Sequence, residues 1–114
     1  MDLQREQVEG IAVLSLVEPI EIDIGNCEEF KAAFAAALGP DDRQVVLDAS
    51  KIEFFDSAGM GSLLSLQKRL KKRDGNLVLA GLNRPVTEVF QMVGFDVVFL
   101  TFPDVQSAVD SLET

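Results

Sequence analysis

Short apolar runs alternate with longer segments of helical periodicity along most of the chain, and this alternation limits the fold more than any other feature. Four apolar runs have the length and composition of strands: residues 11–17, 44–50, 77–82 and 97–100. Helical stripes follow them in residues 26–38, 57–73, 85–93 and 103–113. A weaker strand, residues 3–8, precedes the first run, with Gly10 as the turn residue of a hairpin. The predicted order is β-β-α-β-α-β-α-β-α, an α/β fold with an N-terminal β-hairpin, a mixed and mainly parallel sheet and about four helices.

Residues at the segment ends support these helices. Asn26 is predicted to cap the first helix, and Cys27 lies on its apolar stripe and is expected in the core. Gly75 is predicted to end the second helix in the left-handed conformation, and Gly94 to end the third.

Length and composition fit one ordered domain, residues 1–114. The chain has 114 residues, and hydrophobic side chains make up 47% of them. No apolar run reaches the ~18 residues that span a bilayer, and the first ten residues lack the pattern of a signal peptide. We therefore expect a cytoplasmic protein. The single cysteine excludes an internal disulfide and metal sites of the CxxC type.

The charge balance argues against nucleic acid and membranes as partners. Ten basic and nineteen acidic residues give a formal charge of −9, which repels phosphate-rich surfaces. One local exception, residues 68–73, places five cations in six positions. We interpret it as a solvated helix end whose charges favour the helix dipole.

The available side chains make catalysis by this chain improbable. The sequence has no His, Tyr or Trp, so the commonest base for activating a serine nucleophile is absent. We therefore expect no enzymatic activity and no cofactor or metal.

Three loops are predicted to meet beyond the carboxyl ends of the parallel strands, where α/β sheets place their functional sites. They are residues 18–26, 52–61 and 81–85.

The second of these loops contains the stretch FFDSAGMGSLL, residues 54–64, which opens the second helix. Asp56 or Ser57 can cap that helix, but Gly59 and Gly61 would each weaken it by about 1 kcal/mol relative to alanine. The glycines suggest that another surface approaches the backbone closely, although the P-loop pattern GxxxxGK[ST] is absent. From the residues alone, a cap-only role and a modified, partner-binding Ser57 are equally supported.

The stretch resembles the Asp-Ser-Ser/Thr-Gly motif of STAS domains, and specifically of single-domain bacterial anti-sigma factor antagonists. The resemblance extends over essentially the whole chain, including the segment IEIDIGNCEEF, which is similar to the family's Gly-Glu-Leu-Asp before a helix. The chain departs from the pattern in three places. Ala58 replaces the second hydroxyl, Pro19-Ile20 replaces a glycine-containing approach, and Asn26 replaces Thr.

The resemblance implies a phosphorylation switch. In that family the serine after the aspartate is phosphorylated by a cognate kinase that is also the anti-sigma factor, and the matching residue is Ser57. The implied partner-binding residues are Asp23, Asn26, Asp56, Ala58, Gly59, Met60 and Gly61. The implied partners are an ATP-dependent serine kinase/anti-sigma factor and a PP2C-type phosphatase, with the chain a monomer when free.

Two other classes of protein compete with this interpretation. A response-regulator receiver would use Asp48 as its phosphoacceptor, but it needs a lysine after the last strand, and no lysine follows Lys72. A non-switching STAS scaffold or accessory module of a signalling or transport complex is the stronger alternative. Two loop features stay open: whether Phe54 or Phe55 is exposed, and whether Asn83 and Arg84 contact a partner or cap a loop.

Overall fold

An N-terminal hairpin leads into a parallel sheet in the computed structural model, which describes residues 1–113. The strands are β1 (Leu3–Val8), β2 (Ile11–Leu16), β3 (Ile20–Ile22), β4 (Gln44–Asp48), β5 (Ile52–Phe55), β6 (Asn76–Ala80) and β7 (Thr101–Phe102). The helices are α1 (Cys27–Ala37), α2 (Ser57–Lys71), α3 (Arg84–Val93), α4 (Phe95–Val98) and α5 (Val105–Leu112).

The main sheet has the order β1-β2-β4-β6-β7. Strands β1 and β2 are antiparallel, and all the other neighbours in this sheet are parallel. Strands β3 and β5 form a separate parallel pair. The predicted α/β class and the mixed, mainly parallel sheet are confirmed.

Both faces of the main sheet are covered. On β4, Val45 and Leu47 join the larger core with α1, α2 and α3, whereas Val46 joins the smaller core with α5. This division explains why the central strands are continuously apolar rather than alternating. Cys27 is buried in the larger core, as predicted.

Strands β3 and β5 lie within segments predicted as loops. They have three and four residues, too few for a clear two-residue alternation. Their pairing is long-range: Ile22 stands opposite Phe55, and both side chains are buried. The pair extends from the main sheet to the start of α2.

The predicted last strand, residues 97–100, is wrong. Phe95–Val98 forms the short helix α4, and β7 follows it with only two residues. Phe95 packs against Phe90 and Phe99 with ring centroids 5.2 and 5.7 Å apart. The four-residue spacing of Phe95 and Phe99 suits a helical turn, and this aromatic packing overrides the β-branched composition of the run.

The predicted end of α2 is also corrected. Asp74, with φ of 60°, takes the left-handed conformation, and Gly75 does not. Glycine is needed at position 75 for a different reason: the backbone of Arg43 packs so closely that a Cβ on residue 75 would lie 2.3 Å from the carbonyl oxygen of Arg43. Gly94 ends α3 with φ of 81°, as predicted.

A buried glutamine links α2 to the sheet where β7 is too short to pair. The side chain of Gln67 accepts a hydrogen bond from Leu77 N at 2.8 Å and donates one to Leu77 O at 3.1 Å. It also donates to Asn76 Oδ1 at 3.0 Å. Gln67 therefore satisfies backbone groups of β6 that a longer β7 would otherwise bond.

Candidate functional site

The three predicted loops meet at the carboxyl edge of the sheet. The amide N–H of Ile24, in the β3–α1 loop, donates to a carboxylate oxygen of Asp56 at 3.0 Å, at the β5–α2 turn. The side-chain amide of Asn83 donates to Glu53 O at 2.9 Å, which joins the start of α3 to β5. These bonds hold the β3–α1 loop, the β5–α2 turn and the β6–α3 loop as neighbours, with α2 starting among them.

Asp56 is the N-cap of α2 and also ties the β3–α1 loop to it. One carboxylate oxygen accepts from Gly59 N at 2.8 Å, within the first turn of the helix. The other accepts from Ile24 N at 3.0 Å, in the neighbouring loop. Its own backbone N–H donates to Ile22 O at 3.2 Å. Asp56 therefore fixes the position of the helix start relative to β3.

Ser57 is the first residue of α2, and its side chain is exposed. Within residues 1–113, its hydroxyl makes no hydrogen bond. Ser62, one turn further along, is 3% exposed and donates to Gly59 O at 2.6 Å. Ala58 is half-buried against the larger core. Ser57 thus carries the accessible hydroxyl of this turn.

The two glycines have different structural reasons. A Cβ on Gly59 would lie 2.1 Å from Ile22 O, so only glycine allows α2 to pack this closely on β3. A Cβ on Gly61 would meet nothing within 4 Å, and the residue is exposed. Packing within the described chain therefore requires Gly59 but gives no reason for Gly61.

The other expected partner-binding residues differ in accessibility. Met60 is 9% exposed and belongs to the larger core, and Gly59 is buried, so both support the surface from beneath. Asp23 and Asn26 are half-buried in the β3–α1 loop. Gly61, together with Ser57, lies on the surface itself.

Asn26 occupies the N-cap position of α1, but the prediction that its side chain caps the helix is wrong. Its side chain accepts from Asp23 N at 2.8 Å and donates to Glu21 O at 2.8 Å. The first helical N–H, that of Cys27, donates to Asp23 O at 2.8 Å. Asp23 in turn accepts from Gly25 N at 2.9 Å through its carboxylate. Asp23 and Asn26 therefore shape the loop that Asp56 holds.

Two exposed apolar side chains adjoin the helix start, and one of them escaped the sequence analysis. Ile24 is 78% exposed, and its backbone is bonded to Asp56. Phe54 is 38% exposed, whereas Phe55 is buried, which resolves the choice between the two phenylalanines. The sequence did offer a signal for Ile24, because it is a lone aliphatic residue between Asp23 and Gly25 in a segment predicted as a loop.

Asn83 and Arg84 have separate roles at the third loop. The Asn83 side chain accepts from Val86 N at 2.9 Å and so caps α3. Arg84 is exposed and pairs with Glu88 one turn along, at 3.0 Å. Capping accounts for Asn83.

No cluster of metal-ligating groups lies at this edge among residues 1–113. Three exposed carboxylates come within 4.8 Å of one another, those of Glu9, Asp110 and Glu113. They lie at the other edge of the main sheet, at the β1–β2 turn and the end of α5.

The chain belongs to the STAS domain family, whose model matches residues 2–108. This family membership confirms the resemblance noted in the sequence. The anti-sigma factor antagonists of this family are binding regulators rather than enzymes.

Among individual relatives, BtrV of Bordetella bronchiseptica, named as an anti-sigma factor antagonist, is 32% identical over 99 residues, covering 87% of this chain and 84% of BtrV. An anti-sigma-factor antagonist (STAS) domain protein from Planctomyces limnophilus has a similar structure, with a TM-score of 0.85, 24% identity and full coverage of both chains.

The structure is also similar to that of the anti-sigma factor antagonist SpoIIAA in its unphosphorylated form, with a TM-score of 0.73 and 23% identity over 96% of this chain and 95% of the other. SpoIIAA of Bacillus in its phosphorylated form matches with a TM-score of 0.63 and 21% identity, over 97% and 99% of the two chains.

Proposed function

We propose that this chain is a cytoplasmic anti-sigma factor antagonist that acts as a single STAS domain in a partner-switching pathway. Unphosphorylated, it binds a serine kinase/anti-sigma factor, which then releases its sigma factor or another client. Phosphorylation of Ser57 ends this binding, and a PP2C-type phosphatase restores it. None of the helices formed by residues 1–113 has the length and the apolar composition of a membrane-spanning segment.

The observation that carries the proposal is the placement of Ser57. Its hydroxyl is exposed, free of intramolecular hydrogen bonds within residues 1–113, and located at the first position of a capped helix. A kinase active site can reach such a hydroxyl without unfolding the substrate. The relative SpoIIAA, which has the same fold, is known in both phosphorylated and unphosphorylated forms.

The chemistry of the switch is divided between the two proteins. The Ser57 oxygen attacks the γ-phosphorus of ATP, its proton passes to a base of the kinase, and ADP leaves. This chain's contribution is positional. Asp56 fixes the helix start through Gly59 N and Ile24 N, and Gly59 lets the helix lie against β3. Ser57 is thereby presented on a rigid element.

Phosphate on Ser57 should change binding more than folding. It adds about −1.5 to −2 charges next to Asp56, at a helix N-terminus where the dipole favours anions. The fold should therefore tolerate it. A partner interface closed over Ser57 would have to bury a hydrated dianion. A penalty of about 2–4 kcal/mol would weaken association about 30- to 1,000-fold.

Variants of Ser57 test this proposal. Ser57→Ala should keep kinase binding and resist phosphorylation, whereas Ser57→Asp should bind at least about tenfold more weakly with an unchanged melting temperature. Gln4→Glu, which adds one charge on the exposed edge strand β1, is the control and should bind normally. Binding is measured by calorimetry with the purified kinase, and phosphorylation by mass spectrometry after incubation with ATP.

Two results would contradict the proposal. If Ser57→Asp unfolds, Ser57 has a structural role at the helix start. If Ser57→Asp and wild type bind equally, the chain is a non-switching STAS module, the second candidate from the sequence.

A further inference from the structure

We propose that the basic end of α2 is a second contact for the same partner, and that it binds an acidic protein surface. This inference rests on the proposed function, since it assigns further chemistry to the partner that recognises Ser57. It concerns a different part of the helix: the exposed cations Lys68, Arg69, Lys71 and Lys72, here called the basic end.

Charge segregation is the first observation. Residues 57–73 contain no Asp or Glu, although the chain has nineteen acidic residues. Among residues 1–113, the basic end forms no ion pair, whereas Arg5, Lys31 and Arg84 each pair with a carboxylate. The helix dipole explains cations in a last turn but not the exclusion of acidic neighbours over the whole helix. The result is an uncompensated positive surface on a chain of charge −9.

The second observation is continuity with the Ser57 surface. The exposed residues of α2 and its C-cap include positions 57, 61, 65, 68 and 72, which are spaced by three or four and so share one face. The first three are Ser, Gly and Ser, and the last two are Lys. Lys68 lies about 16 Å along the helix axis from Ser57. A partner lying along this face would meet small side chains first and cations at the far end.

A groove between α1 and α2 adjoins this face. It has a volume of about 340 Å³ and is lined by Glu28, Lys31, Ala32, Ala35, Ser65, Leu66 and Arg69. Glu28 neutralises Lys31 by an ion pair of 3.0 Å, so within the described chain Arg69 is the unpaired cation of this groove. Beside it, Ser65, Lys68, Arg69 and Lys72 line a shallower depression of about 430 Å³. Small side chains leave room for groups of a partner, and Lys68, Arg69 and Lys72, unpaired within residues 1–113, favour carboxylates.

The charge of the whole chain favours a protein over a membrane or nucleic acid. Carboxylates of an acidic partner would be repelled by most of this molecule and attracted only at the basic end. Such an arrangement orients the encounter and raises its rate. An extended anionic bilayer or a nucleic acid would bring many negative charges against the acidic remainder of the chain.

The two contacts should act independently. About 16 Å exceeds the screening length of about 8–10 Å at physiological salt. Effects of Lys68→Glu and Ser57→Asp on binding should therefore multiply, as expected for distant residues that share no direct contacts.

Association kinetics with the kinase that phosphorylates Ser57 test the inference. Lys68→Glu should lower the association rate constant about three- to tenfold at about 50 mM salt and much less at about 300 mM. The double variant Gln4→Glu/Gln7→Glu makes the same total charge change at exposed positions of the edge strand β1 and should change the rate less than twofold. Equal effects of the two variants at low salt would overturn the proposal. Ser57 phosphorylation is assayed separately, so failure of the switch and failure of the basic contact are distinguishable.

The inference can also be tested without the kinase, with an acidic peptide as the probe. A fluorescein-labelled, glutamate-rich helical peptide should bind the wild-type chain at low salt, and its anisotropy change should be lost with Lys68→Glu but kept with Gln4→Glu/Gln7→Glu. Vesicles of phosphatidylglycerol and phosphatidylcholine should not sediment the protein. Absent peptide binding, or vesicle binding that depends on Lys68, would overturn the assignment to an acidic protein surface. Circular dichroism confirms that each variant remains folded.

Discussion

Gly59 and Gly61 lie in the same turn of α2, but only one of them is required by the fold. The Gly59 backbone faces Ile22 O, while Gly61 faces open space. The sequence identified both as unusual at a helix start and gave one explanation for the pair. Separating their roles needed the position of β3, a strand of three residues that the sequence pattern did not predict.

Substituting each glycine by alanine should have opposite effects on stability. Gly59→Ala places a Cβ against a backbone oxygen and should lower the free energy of unfolding by at least about 1–3 kcal/mol. Gly61→Ala removes a flexible residue from an exposed helix position and should raise it by about 0.5–1 kcal/mol. Urea unfolding followed by circular dichroism measures both. Equal destabilisation by the two variants would contradict this assignment.

Asp56 joins two segments through the two oxygens of one carboxylate. Asp56→Ala should lower stability by about 0.5–2 kcal/mol, because the N-cap is lost. Asp56→Asn should lower stability less, because its remaining side-chain oxygen can still accept from Gly59 N. The NH₂ group that replaces the other oxygen cannot accept the hydrogen bond from Ile24 N. Thermal unfolding ranks the variants, and limited proteolysis of residues 18–26 reports loosening of the loop. Identical behaviour of the two variants would argue against a double role.

Gln67 shows how α2 and the sheet depend on one another. Its side-chain amide bonds both backbone groups of Leu77. Gln67→Met keeps the volume but leaves these buried groups unpaired, so it should lower stability by about 1–3 kcal/mol. Gln91→Met, at an exposed position on α3, is the control and should stay within about 0.5 kcal/mol of wild type. Denaturant unfolding compares them, and a neutral Gln67→Met would show that water satisfies Leu77.

Sequence patterns predicted the long elements well because their periodicity is set by burial. The stripe of α1 packs in the larger core, and the continuous apolar run of β4 contributes to both cores. The short elements β3, β5, α4 and β7 were missed or misassigned because tertiary contacts decide them. The pairing of Ile22 with Phe55 joins residues distant in sequence, and the edge-to-face packing of Phe95 against Phe90 overrides local preference.

The same distinction applies to the candidate site. The meeting of three loops followed from the parallel order of the strands, and the place of Ser57 at the start of α2 followed from the position of the motif after a strand. The roles of Asn26 and Ile24 did not, because a side chain in a loop has several possible hydrogen-bond partners, and only the folded chain selects among them.

The response of the molecule to acid should depend on a contact between the hairpin and the loop after α1. Arg5 of β1 pairs with Asp42, and Gly39 N donates to the same carboxylate at 2.7 Å. The Arg5 hydrogen bond, followed by that of Gly39, lowers the pKa of Asp42 below its ordinary value. Since a lowered folded-state pKa stabilises the fold only while the group is ionised, this stabilisation is present above about pH 4 and is lost below it.

Asp42→Asn should therefore lower stability at pH 7, and the difference from wild type should shrink as the pH falls below about 4.

Neutralising Glu113 should have the opposite effect on stability. Loss of hydration and the nearby carboxylates of Glu9 and Asp110 raise the pKa of Glu113. Glu113→Gln should increase stability at pH 7, with a gain that disappears in acid. Urea unfolding at several pH values measures both, and a pH-independent effect of Asp42→Asn would contradict the assignment.

The hydrogen bond from Ile24 N to Asp56 has a practical consequence for observing this molecule. The Ile24 amide senses the electric field around one carboxylate, and that carboxylate is adjacent in sequence to Ser57. Esterification of Ser57 should therefore displace the Ile24 cross-peak in a nitrogen–proton correlation spectrum, even with no other protein in the tube. The chain would carry its own spectroscopic reporter of its modification state, readable in isotope-labelled cells without antibodies or affinity tags.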